Sequence, residues 1–170
     1  MDLKNFIRDI PDFPKSGIIF RDITPLLRDK AAFRFCVDEI SERYRKSYID
    51  LVVAPESRGF IFGGAIAHQL GTGFIPVRKK GKLPWKKRIE EYSLEYGTDS
   101  VEMHEDAILE GENILVFDDL LATGGTIMAV KKLVENSGGK IKGFSFLAEL
   151  GELGGRDKIK GYEVFSLVRF

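Results

Sequence analysis

Asp118 and Asp119 stand side by side directly after the apolar run Ile114-Leu115-Val116-Phe117 and just ahead of Ala122-Thr123-Gly124-Gly125-Thr126. Glycines let a backbone approach an anion closely, and the hydroxyls of Thr123 and Thr126 add donors in the same turn. Ile127, Val130, Leu133 and Val134 follow at helical spacing, so the turn opens onto a helix N-terminus whose free N–H groups suit phosphate. Two carboxylates beside a phosphate cradle would repel it unless they face a metal or the neutral hydroxyls of a sugar. The implied ligand is a phosphorylated sugar. The blander reading is an αβ unit whose acids merely cap a helix. No Gly-Lys-Thr or Gly-Lys-Ser closes the loop as in a Walker A motif, and the spaced glycines of a dinucleotide fingerprint are missing.

These side chains need a scaffold. An apolar run that meets charge abruptly suits a strand buried on both faces of a parallel sheet, with its acids at the C-terminal end where ligands of open α/β sheets gather. Strand-like runs at 51–54, 74–77, 114–117, 144–148 and 164–168 alternate with helical patterns near 31–46, 60–70 and 124–136. That alternation predicts one α/β domain built on a doubly wound, mostly parallel sheet. The interval from Arg78 to Glu112 breaks the rhythm, being long, charged and without helical periodicity, and reads as a functional loop.

Two further clusters fall at predicted strand ends. Glu56-Ser57-Arg58-Gly59-Phe60 follows Leu51-Val52-Val53-Ala54-Pro55, and Arg58 there suits a bidentate hold on a phosphate or pyrophosphate oxygen, or an ion pair with a neighbouring acid. Arg78-Lys79-Lys80-Gly81-Lys82 follows Phe74-Ile75-Pro76-Val77. A short charge run is usually a solvated loop, but on this edge Arg78, Lys79 and Lys82 would also meet a multiply charged leaving group.

Composition narrows the class. The 170 residues carry 26 basic and 26 acidic side chains, so net charge is zero and there is no general pull toward nucleic acid. The single cysteine, Cys36, lies on the apolar side of the Phe33, Val37, Ile40, Tyr44 pattern and is expected in the core. No run approaches membrane-spanning length and the N-terminus has no apolar signal core, so a cytoplasmic chain with no membrane partner is expected. His68 and His104 have no ligand-spaced partners, Lys86-Lys87-Arg88 reads as a solvated face, and Trp85 as a loop anchor.

The segment 114–126 resembles the phosphoribosyl pyrophosphate (PRPP) signature of type I phosphoribosyltransferases. Four more segments resemble the adenine phosphoribosyltransferase family in order: Gly17-Ile18-Ile19-Phe20-Arg21-Asp22-Ile23-Thr24-Pro25, Glu56 to Phe60, Arg78 to Pro84, and Tyr92-Ser93-Leu94-Glu95-Tyr96-Gly97. The resemblance implies conversion of adenine and PRPP to AMP and pyrophosphate, with Mg²⁺ carried on PRPP rather than held by protein alone, in a homodimer. It gives Asp118 and Asp119 the ribose hydroxyls, the loop Ala122 to Thr126 the 5-phosphate, and Arg58, Arg78, Lys79 and Lys82 the pyrophosphate. Glu95, Arg58 and Lys82 are the implied catalytic residues. Ile19, Phe20 and Arg21 belong to a small hood, about residues 1–30, that stacks Phe20 on the purine; Leu150 packs on the other face. A flexible lid, about residues 79–112, carries Glu95 and Tyr96 over the substrates. For Ile18-Ile19-Phe20 a core strand, and for Leu150 core packing, are the plainer alternatives. Ala54-Pro55 stands where the family more usually has a Gly-containing pair. The competing activities are transfer to xanthine or another 6-oxopurine, and a non-catalytic PRPP-sensing regulator, which would ordinarily need a nucleic-acid-binding extension and could dispense with Glu95.

Overall fold

The computed structural model describes residues 1–94 and 97–170. Its framework is a seven-stranded sheet. The strands are β3 (Leu51–Pro55), β4 (Gly73–Lys79), β5 (Lys87–Leu94), β6 (Gly97–His104), β7 (Asn113–Leu121), β8 (Lys140–Glu149) and β9 (Val164–Arg169), in the order β5-β6-β4-β3-β7-β8-β9. The run β4-β3-β7-β8-β9 is parallel, as expected. Strands alternate their side chains between faces, so Val52 and Ala54 enter one core while Val53 enters the other.

Helices cover both faces. The first core gathers α2 (Lys30–Tyr44) and α3 (Arg58–Leu70) around Leu115, Phe117 and Leu147; the second gathers α4 (Gly125–Asn136) around Val53, Val116, Phe144 and Phe146. This two-sided burial explains why Ile114 to Phe117 is apolar without alternation. Helix α2 begins where the Asp29 carboxylate accepts the N–H groups of Ala31 and Ala32. It ends on Tyr44, whose hydroxyl donates to the Phe144 carbonyl at 3.3 Å.

The interval 78–112, read from the sequence as a loop, is instead largely an antiparallel hairpin. Strands β5 and β6 pair from Lys87 opposite His104 to Tyr92 opposite Asp99, and β6 joins the sheet by pairing with Arg78 and Lys79 of β4. The apolar signal is only two residues deep, because Val101 and Met103 fill the core while the opposite face of β6 buries Ser100 and Glu102. Glu102, fully buried, accepts the Leu83 N–H at 2.8 Å and pairs with Lys87 at 3.1 Å. Burial pushes its carboxyl up, but the Leu83 N–H and Lys87 outweigh that and hold it below its ordinary value. Lys87 is thus part of the framework rather than a solvated face, and it also donates to the Leu83 carbonyl.

The N-terminal segment forms a separate hairpin of β1 (Arg8–Pro11) and β2 (Ile19–Asp22), followed by the short helix α1 (Thr24–Arg28). Ile18 and Ile19 are exposed and Phe20 is half-buried, so this strand is not a core strand. Trp85 is half exposed with its ring edge-on to His104. Among the described residues, no helix is long and apolar enough to cross a membrane.

Two outcomes follow. Phe117→Ala, which opens a void under α3, should destabilise the fold by about 3–5 kcal/mol in urea titration. Cys36 is fully buried, and desolvation pushes its thiol up to about 12, so a thiol reagent should label it only as the chain unfolds.

Candidate active site

Strand β7 delivers both acids to the C-terminal edge of the sheet, and α3 delivers Arg58 as its first residue. The Arg58 guanidinium pairs through Nε with Asp119 Oδ2 at 2.8 Å and donates through Nη1 to the Arg21 carbonyl at 3.2 Å. It also lies 5.0 Å from the centre of the Phe20 ring. One side chain therefore spans the acid pair and the N-terminal hairpin. The helix can come this close because Gly59 has no side chain: a Cβ there would sit 3.2 Å from Asp118 Oδ1.

Burial pushes both carboxyls above the ordinary range. For Asp118 the adjoining Asp119 charge adds to the rise, whereas at Asp119 the Arg58 guanidinium opposes it. The two acids are joined by the Asp119 N–H, which donates to Asp118 Oδ1 at 2.8 Å, and one guanidinium pairs with Asp119, leaving carboxylate oxygens that can accept hydrogen bonds from a ligand.

Beyond Asp119 the backbone turns into the glycine loop. Gly124 takes φ 77°, a left-handed value that favours glycine, and α4 starts there without a side-chain cap. The first-turn N–H groups of a twelve-residue helix thus point out of the loop. Residues 122–126 cup a cavity of about 70 Å³. That is room for a small polar group such as a tetrahedral anion, since one water needs about 10–15 Å³ of such space.

A larger cavity of about 440 Å³ adjoins it, and among the residues that line it are Phe20, Glu56, Arg58, Lys79, Tyr92, Asp118, Asp119 and Thr126. The expected cations are placed here with partners. Arg78 donates to Glu56 at 3.1 Å, and Lys79 donates to Asp99 at 2.9 Å. Glu56 also accepts the Lys79 backbone N–H; burial raises its carboxyl, yet these bonds to Lys79 and Arg78 hold it below the ordinary value. The Asp99 hydrogen bond raises Lys79, and the same bond lowers Asp99. Lys82 is exposed in the turn after β4 and has no ion-pair partner among the described residues. Arg58 therefore occupies an ion pair of the kind the sequence offered as its plainer role, whereas Arg78, whose plainer reading was a solvated loop, is paired with Glu56.

Arg21 pairs with Asp9 and lays its guanidinium 3.9 Å from the centre of the Phe170 ring. Ile19 stays at the exposed tip of its hairpin. Leu150, half-buried, donates its N–H to the Leu121 carbonyl at 2.9 Å, which seats it beside the acid-bearing strand. Glu95 and Tyr96 lie outside the described residues. Sequence reasoning gave no role to Tyr92 or Asp99. The Tyr92 hydroxyl donates to Asp99 at 3.1 Å and lies against Thr126, which brings the hairpin onto the glycine loop. Their signal was the alternation of β5 and β6, hidden by charged neighbours. Among the described residues no group of three His, Cys, Asp or Glu side chains could hold a metal ion.

This chain is similar to known proteins over nearly its whole length. The family profile described as "Phosphoribosyl transferase domain" matches residues 26–169. The adenine phosphoribosyltransferase of Thermosipho africanus is 56% identical over 168 residues, covering 99% of each chain. The crystal structure of adenine phosphoribosyltransferase from Thermoanaerobacter pseudethanolicus superposes with a TM-score of 0.96 at 53% identity, covering 99% of this chain and 98% of the other. That of Saccharomyces cerevisiae, complexed with D-2,5-dideoxy-2,5-imino-altritol 1,6-bisphosphate and adenine, has a TM-score of 0.91 at 39% identity, with 98% and 96% covered. Matched across nearly its whole length, this chain belongs to the phosphoribosyltransferases and, within them, to the adenine phosphoribosyltransferase family.

Proposed function

We propose that this chain transfers the 5-phosphoribosyl group of PRPP to N9 of adenine, releasing pyrophosphate and forming AMP in purine salvage. The observation that carries the reading is the union, in adjoining cavities on one sheet edge, of a paired-carboxylate strand end, an uncapped glycine-loop helix and the Phe20 ring. The loop amides from Ala122 to Thr126 take the 5-phosphate, and Asp118 and Asp119 accept the ribose 2′- and 3′-hydroxyls. Phe20 stacks on the base, Ile19 and Arg21 offer backbone groups to its edge, and Leu150 packs on its other side.

In the reaction the bond from C1 to the pyrophosphate oxygen breaks with its electron pair leaving on pyrophosphate, and the N9 lone pair forms the new bond on the opposite face. Charge grows on the leaving oxygens as C1 takes on oxocarbenium character. Arg58, Arg78, Lys79 and Lys82 stabilise that growth, Arg78 and Lys79 by exchanging Glu56 and Asp99 for the incoming anion. Mg²⁺ usually keeps several waters and binds through substrate phosphates rather than in an all-protein cage; carried on PRPP, it would neutralise part of the pyrophosphate charge. The proton that adenine loses is assigned to Glu95, with Tyr96 beside it, on the family resemblance. We read the working form as a cytoplasmic homodimer on the same ground.

The deciding experiment supplies PRPP and Mg²⁺ with adenine, hypoxanthine, guanine or xanthine in turn and follows nucleotide formation. AMP from adenine alone is expected; turnover of an oxopurine instead would overturn the base assignment, and tight PRPP binding without turnover would favour a sensor. Asp118→Asn should abolish PRPP binding by calorimetry. It should also raise the melting temperature at neutral pH, because a carboxyl whose folded pKa exceeds 3.8 costs stability once ionised; removing such a functional compromise commonly returns about 0.5–2 kcal/mol. By the same sign, PRPP affinity should begin to fall on acidification while the pH is still above 3.8, as the raised pair takes up protons. Glu95→Gln should spare binding and slow turnover.

A further inference from the structure

After β8 the chain makes two short 3-10 turns, Gly151–Leu153 and Gly155–Ile159, before β9. The second turn lies directly on the glycine loop. A Cβ on Gly155 would fall 2.2 Å from the Ala122 carbonyl oxygen and 3.1 Å from the Gly124 nitrogen, and one on Gly124 would fall 2.9 Å from the Gly155 carbonyl oxygen. Two backbones therefore touch where the loop must present its amides, and whatever holds Gly155 sets where those amides point.

The next residue, Arg156, holds it. Its Nε donates to Glu149 Oε1 at 2.9 Å, its Nη2 donates to Oε2 of the same carboxylate, and its Nη1 donates to the Val164 carbonyl at 3.0 Å. Glu149 is 2% exposed and also accepts from the Ser166 hydroxyl at 2.8 Å and from Arg169 Nη2 at 3.1 Å. It stands in register with Leu121, the residue just before the loop. The fork geometry fixes direction as well as charge. The Arg156 bond holds the Glu149 carboxyl at about 2, so the pair stays ionised across the working pH range.

We infer that Glu149, Arg156 and Gly155 form a positioning unit for the loop Ala122 to Thr126, fixing the spacing of the amides offered to a ribose 5-phosphate. The inference rests on the phosphate role proposed above. None of the three lines the larger cavity that Phe20 and the acid pair share; the unit's effect passes through the loop.

Arg156→Lys keeps the charge and loses the fork. It should raise KM for PRPP and Kd for ribose 5-phosphate by about tenfold to a hundredfold, as expected when a binding group moves by about 1 Å. KM for adenine should stay within about twofold. Glu149→Gln should show the same split, and Ser166→Ala, which removes one donor and leaves the fork, a smaller one. A fall in melting temperature with both substrates unaffected would overturn the inference, as would an equal rise in both KM values. If Glu149→Gln does not fold, Arg156→Lys and Ser166→Ala decide. A wild-type chain that binds no ribose 5-phosphate would overturn the phosphate reading and this inference with it.

Discussion

Asp118 and Asp119 stand together at the end of a strand buried on both faces, and the rest of the edge is arranged around the cost of putting them there. An isolated pair of carboxylates half withdrawn from water would take up protons. A guanidinium offsets part of that cost at Asp119, and the same guanidinium reaches across to the Arg21 carbonyl and lies by the Phe20 ring. Electrostatic demand at the strand end is thereby turned into a mechanical link to the N-terminal hairpin. The acid pair is part of the sheet, and Arg58 is one of the contacts that fasten the N-terminal hairpin over it.

The same economy governs the cations. Without a ligand, a cluster of positive charge at one edge would repel itself, and here Arg78 rests on Glu56 and Lys79 on Asp99. In both pairs the cation is more open to solvent than the carboxylate that holds it. Asp99 belongs to the hairpin and also holds Tyr92, which leans on Thr126 of the glycine loop. Charge neutralisation and closure of the edge by β5 and β6 are thus two aspects of one set of contacts.

On the far side of β7, the ends of β8 and β9 are held by a cluster of charge-assisted contacts, those of Glu149 with Arg156, Ser166 and Arg169. They lie beside the glycine loop, where the backbones of Gly124 and Gly155 come into close contact. The helix that leaves this loop starts without a side-chain cap, so the loop's rigidity comes from neighbouring contacts.

The parallel sheet was legible because its strands are apolar on both faces and its helices carry a clear 3.6-residue pattern; both are local consequences of burial. The acid pair, the glycine turn and the position of Arg58 at a strand end were legible for the same reason, since topology sends every parallel strand end to one edge. The hairpin at 87–104 was not, because its burial is shared between Val101 and Met103 on one face and the polar Ser100 and Glu102 on the other. Such polar burial is stable only once the Leu83 N–H and, from the facing strand, Lys87 bond Glu102, partners that no residue pattern announces. The hydrogen-bonded partners of the cations, and the hold of Arg156 on Glu149, were likewise decided by tertiary structure. By itself the sequence determined which chemistry meets at the edge, because residue type and periodicity are properties of a segment; which charges neutralise which, and how firmly the loop is held, depends on contacts between residues far apart in the chain.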